Sequence, residues 1–183
     1  MNMTLLNTRL LRTGCATCIG LTALIGCQAQ TKKPMPSPPA DTSQTVDGKT
    51  VSIHYNAPSM RGRKIMGGLV PYGQVWRTGA NEATTLITPV ALRIGTADVP
   101  AGQYTLWTLP SESTWKLIIN KQTGQWGTEY NADQDLVRVD MQKSSTSQPV
   151  EQFLISWKKE GPKKADLVLE WENTRVWVPV EAK

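Results

Sequence analysis

Groups that ligate soft metals or relay protons are scarce in this sequence, which has one histidine and three cysteines among 183 residues. A structural zinc site takes about four Cys or His ligands. Two of the cysteines, Cys15 and Cys18, sit in an apolar N-terminal stretch that reads as a leader, so their C-x-x-C spacing is taken as coincidence rather than as a metal or redox site. His54 is the one imidazole, and no Gly-x-Ser-x-Gly elbow presents a serine to it, so a serine-hydrolase triad lacks its scaffold. Gly62 to Gly68 carries no Walker lysine, which removes the usual phosphate loop. The net charge is +5 without a polybasic run, which argues against nucleic acid as a partner. No metal and no cofactor is expected. Phenylalanine is nearly absent as well, one against seven tryptophans, so the aromatic mass of any core or flat ligand surface comes mainly from Trp.

What is present begins with an address. Arg9 and Arg12 are the only charges before Lys32, and Gly14 to Gly26 is an uncharged, mostly apolar run of 13 residues. That is short of the roughly 20 residues a membrane-spanning helix needs, but it suits a secretory signal. The run closes on Leu24-Ile25-Gly26-Cys27, which resembles the bacterial lipobox. The resemblance implies cleavage after Gly26 by signal peptidase II, a diacylglyceryl lipid on Cys27 and a new amino terminus open to acylation, as with palmitate. Each buried methylene contributes about 0.8 kcal/mol, so two or three chains anchor stably where one does not. Gln28, in place of Asp, resembles the enteric pattern for outer-membrane sorting and implies a domain facing the periplasm. The competing reading is an ordinary secretory peptide that happens to contain a cysteine.

Cutting residues 1–26 away leaves 157, with 18 cations against 15 acids, a net +3. That length suffices for one domain with its own core. Residues 27–44 hold the lipidated cysteine and a tether carrying Pro34, Pro36, Pro38 and Pro39 among polar residues. Residues 45–183 read as the domain. Their apolar period is mostly two, with turn residues roughly every 8–12 positions and no amphipathic helical spacing. Asp47-Gly48 marks a tight hairpin between Thr45-Val46 and Thr50 to Tyr55. Further strands are expected at Thr84 to Ile94, Gln103 to Leu109, Trp115 to Lys121 and Leu136 to Met141. Val150 to Trp157, Ala165 to Trp171 and Arg175 to Val180 complete the set, with a charged hairpin tip at Lys158 to Lys164. About eight or nine antiparallel strands make an all-β sandwich the expected fold, with a barrel as the alternative.

Residues 56–83 break this rhythm. So long a segment without strand periodicity is functional or disordered, and Ile65, Met66, Leu69, Val70, Val75 and Trp76 call for burial, which favours order. The strings Pro58-Ser59-Met60-Arg61-Gly62-Arg63, Gly67-Gly68-Leu69-Val70-Pro71-Tyr72-Gly73 and Val75-Trp76-Arg77-Thr78-Gly79-Ala80-Asn81-Glu82-Ala83-Thr84 resemble the bacterial family known as domain of unknown function 2911. Val99 to Leu106 and Ile119 to Gly127 continue the likeness, which runs from about Ser37 to the C-terminus. The resemblance implies an envelope protein with an all-β domain and supplies no activity and no catalytic residues.

Chemistry is therefore read from the loop itself. Arg61, Arg63, Lys64 and Arg77 place four cations within 17 positions, with Glu82 as the nearby acid. Glycines among them let backbone N–H groups approach a ligand, guanidinium forks suit oxyanions, and Tyr72 and Trp76 offer flat faces. Arg61, Arg63, Tyr72, Trp76, Arg77, Asn81 and Glu82, with Trp126 in the turn Gly124 to Gly127, are the candidate ligand-binding residues. The ligand class is an envelope glycan or a small anion. Against this stands a structural role, in which the arginines staple the loop's own carbonyls, Glu82 pairs with Arg77 and the tryptophans fill the core. Two other functions stay open: a glycan hydrolase using Glu82 and a second carboxylate about 5–9 Å away, and an assembly protein pairing through a free strand edge.

Overall fold

The computed structural model describes residues 35–183. The expected leader 1–26, Cys27 and the tether up to Pro34 lie outside those residues. Nine strands follow in order: β1 (Pro39–Val46), β2 (Lys49–Asn56), β3 (Thr84–Thr88), β4 (Leu92–Ile94), β5 (Ala97–Val99), β6 (Gly102–Pro110), β7 (Trp115–Asn120), β8 (Asp135–Lys159) and β9 (Lys164–Ala182). One turn of 3₁₀ helix, Ala132–Gln134, precedes β8. Every pairing is antiparallel, in the order β1-β2-β3-β6-β7-β8-β9-β4-β5. The sheet begins and ends on different strands, so it does not close into a barrel.

Two layers arise from the length of β8. Residues up to Met141 pair with β7, and from Gln142 onward the strand pairs with β9. One strand thus belongs to both halves, and β9-β4-β5 comes to lie over the half that contains β1 and β2. Alternation decides what meets between them. Val51 and Ile53 of β2, Leu106 of β6 and Leu117 and Ile119 of β7 share one buried cluster with Leu92, Ile94, Leu167, Leu169, Val178 and Val180. Each such side chain stabilises the fold by roughly 1.5–3 kcal/mol relative to exposure. The β1–β2 turn uses Asp47 and Gly48 at φ 50° and 72°, the two positive values that a type I′ hairpin requires.

Three features depart from the expected strand map. Residues 39–44, read as tether, form most of β1 and pair with β2 from Pro39↔Asn56 onward. The strand is polar, with only Val46 fully buried, so backbone hydrogen bonds rather than apolar pattern place it. The stretches expected as four strands between Leu136 and Val180 are two long ones, interrupted by register shifts between Ser145, Val150 and Leu154. Thr84 to Ile94 is instead two strands, because the Thr88 hydroxyl donates to the Val90 carbonyl (2.6 Å) and turns the chain.

The middle strands β6 and β7 are covered on both faces. Outside the sheet, segments 75–83 and 122–134 form a partial third layer over Trp107 and Ile118, which pack with Ala83, Val75, Leu109 and Tyr130. Trp76 and Thr108 exchange backbone hydrogen bonds of 2.8 and 2.9 Å, and Gly127 N–H donates to the Asn81 carbonyl at 2.9 Å.

Candidate functional site

Segment 57–83 is ordered without being regular. A tight turn, with Val70 N–H on the Ile65 carbonyl at 2.9 Å, sinks Ile65, Met66 and Val70 into the core. Glu172, at the kink of β9 with φ 54°, receives the Ile65 and Met66 amides on its two carboxylate oxygens at 3.1 and 3.0 Å. Backbone bonds join the same loop to β8, from Met60 N–H to the Glu151 carbonyl and from Phe153 N–H to the Pro58 carbonyl, both 2.8 Å. The irregular stretch of β8 and β9 is therefore the seat on which the loop rests.

Past this seat the loop turns under strain. Thr78 and Asn81 hold φ of 53° and 57°; asparagine visits this region readily, but for the β-branched Thr78 it is an outlier that costs on the order of 1–2 kcal/mol. Buried hydrogen bonds hold Thr78 there, its hydroxyl to Thr108 Oγ1 (3.2 Å) and its carbonyl receiving the Thr84 hydroxyl (2.7 Å). Trp76 stacks on Trp171 with centroids 5.7 Å apart and meets Phe153 edge-on at 5.0 Å.

These elements enclose a cleft of about 280 Å³ whose walls include Arg63, Leu69, Trp76, Arg77, Asn81 and Trp171. Four of the residues expected from sequence are thus brought together: Arg63, Trp76, Arg77 and Asn81. Two of them already have work. Arg63 donates to the Met60 and Ser59 carbonyls at 2.9 and 2.6 Å. Asn81 Nδ2 donates to Asn56 Oδ1 (3.2 Å) and the Ser37 carbonyl (3.4 Å). The Arg77 guanidinium, by contrast, has no hydrogen-bond or ion-pair partner among the described residues. Its methylene stem lies against Gly127, where an added Cβ would fall 2.4 Å from Arg77 Cδ.

On its other side Arg77 lines a second cleft of about 300 Å³ with Val75, Trp76, Trp107, Gly127, Thr128 and Tyr130. The Tyr130 ring is 4.9 Å from Trp107. Its hydroxyl donates to Asp135 at 2.7 Å and accepts from Arg138 at 2.8 Å. Burial first, then the Asp135 carboxylate, pushes the phenol up from 10.0 to about 12.

The other expected residues lie elsewhere. Arg61 donates to the Pro36 carbonyl at 2.6 Å and holds the segment that leads into β1. The Tyr72 ring covers Gly67, where a Cβ would sit 2.9 Å from its Cε2, so one face packs on the loop itself. Trp126 is 46% exposed on the opposite strand of a bridge with Glu82. Glu82 does not pair with Arg77. It accepts from Asn56 Nδ2 at 3.0 Å and lines a separate pocket of about 170 Å³ with Asp41, His54 and Thr85. There the His54 imidazole meets the Asp41 carboxylate across the β1–β2 ladder. Leu69, expected inside, is 48% exposed on the rim of the first cleft. Sequence reasoning missed Trp171, Glu172 and Gly127, which reach the loop from strands and turns far along the chain. Trp171 sits in a period-two strand and looks like any core residue.

Together the walls offer one unsatisfied cation between flat apolar surfaces, a set suited to holding an oxyanion beside an apolar face. No curated protein and no solved structure matches the chain. The family described as Protein of unknown function (DUF2911) matches residues 37–180, and the chain belongs to that family.

Proposed function

We propose that the protein is an exported lipoprotein, anchored through Cys27, whose β-sandwich binds an anionic envelope ligand in the Arg77 cleft. The observation that carries this reading is the Arg77 guanidinium, unpaired among the described residues between two clefts that share the half-buried Trp76 as a wall. Backbone strain at Thr78 supports it, since such strain persists where a particular loop shape is needed. Replacing Arg77 with Ala is expected to weaken binding of a carboxylated sugar by roughly 10- to 100-fold, the worth of one charge-assisted hydrogen bond, with little change in melting temperature. Arg61→Ala is expected to do the reverse, lowering the melting temperature while affinity holds. Calorimetric titration with glucuronate and thermal melts of both variants separate the roles. A stability loss in Arg77→Ala, with no uronate bound by the parent chain, leaves only the loop-stapling role.

A second reading has a specific observation behind it. Asp41 supplies a second carboxylate to the pocket of Glu82, as a two-carboxylate glycan hydrolase requires. Sugar release from envelope glycans that survives both Glu82→Gln and Asp41→Asn would dismiss it.

A further inference from the structure

We infer that the ligand of the Arg77 cleft is an acidic oligosaccharide of at least two units, lying across both clefts with one carboxylate on Arg77. This rests on the ligand-binding reading above and goes beyond it in size and class. The clefts share Trp76 and Arg77 as a common wall and hold about 280 and 300 Å³. Each alone is at the lower limit of small-molecule sites, which run from about 300 to 1,000 Å³. A ligand seated on Arg77 has room on either side, and a single anion such as sulfate fills neither.

The distribution of charge narrows the class. A dense polyanion such as polyphosphate needs a cation for nearly every unit, whereas the junction provides one guanidinium free of partners among the described residues. Beyond it the exposed walls are Leu69 and Trp76 on one side, with Arg63 committed to the Met60 and Ser59 carbonyls, and Val75 and Tyr130 on the other. Such apolar walls suit the C–H faces of sugar rings, with the Thr128 hydroxyl left for a sugar hydroxyl. One charge among several neutral rings is the pattern of a uronate-bearing glycan.

Gly127 keeps the cation at the junction. A Cβ there would lie 2.4 Å from Arg77 Cδ and 2.5 Å from the Asn81 carbonyl oxygen, and the second of these is backbone that cannot swing aside. Tyr130 is fixed in turn by Asp135 and Arg138, so the far wall of the second cleft is preformed.

The test is a length series on the full chain, using galacturonic acid and its dimer, trimer and tetramer, with neutral cello-oligosaccharides and short polyphosphate as comparisons. The trimer is expected to bind at least about tenfold more tightly than the monomer, and neutral chains at least about tenfold more weakly than uronates of equal length. Thr128→Trp, which fills the second cleft, is expected to erase the gain with length. Equal affinity for monomer and tetramer overturns the two-cleft inference and leaves anion binding intact. Tighter binding of polyphosphate than of any uronate overturns the glycan class. Binding of none of these anions overturns both this inference and the reading beneath it. Because the length series uses the unaltered chain, the outcome does not depend on whether Thr128→Trp folds.

Discussion

At the scale of single residues, the site depends on close approaches that leave no room for additional atoms. Gly127→Ala introduces a methyl group into the 2.5 Å gap before the Asn81 carbonyl. Overpacking of this kind costs about 1–3 kcal/mol, and denaturant titration of the variant checks it. An unchanged midpoint would show that the 125–127 turn can withdraw without loss. Legibility at this scale follows chain separation. Arg63, Trp76, Arg77 and Asn81 could be picked out because one loop carries them all. Gly127 lies in a turn that the sequence marks only as a turn, and nothing around it announces Arg77 as its neighbour. The pairing of Glu82 with Arg77 was plausible from proximity in sequence. It fails because the positive φ at Asn81 turns the chain between them and aims Glu82 at Asn56.

Among elements, the relation that matters most is between the 57–83 loop and the kinked β8–β9 ribbon. Glu172 receives two adjacent loop amides, each bond being charge-assisted. Its replacement by Ala leaves the Ile65 and Met66 N–H groups short of an acceptor, at a cost of about 2–3 kcal/mol. Hydrogen exchange should report the loss as faster exchange at those two amides, with Glu172→Gln intermediate because one amide oxygen still accepts. Unaltered exchange would mean that the turn's own Ile65–Val70 bond suffices. Strand existence was readable here from period-two alternation at Val51, Ile53 and Leu167 to Leu169. Strand continuity was not, because alternation resets at a bulge just as it does at a loop. Val150 pairs with Glu172 between two register shifts, and Pro149 beside it reads as a strand end. Polar β1 was invisible for the opposite reason: its place is set by hydrogen bonds to β2, which leave no apolar signature.

At the scale of the whole molecule, the proposed anchor and the candidate site lie near one another along the chain. Cys27→Ala is expected to move the protein from the membrane fraction to the soluble fraction and to abolish palmitate labelling, while the circular dichroism spectrum of the domain is preserved. Retention in the membrane after that change would remove the lipid as the means of attachment. The segment entering β1 is gripped at three successive residues. Arg61 donates to the Pro36 carbonyl (2.6 Å), Asn81 to that of Ser37 (3.4 Å) and the Ala57 amide to that of Pro38 (2.9 Å). For a chain held at residue 27, any tension in the leash is borne first by these three bonds and only then by the β1–β2 ladder. Asn81 is also a wall of the cleft, so a mechanical load on a chain held there would reach one wall of the candidate site.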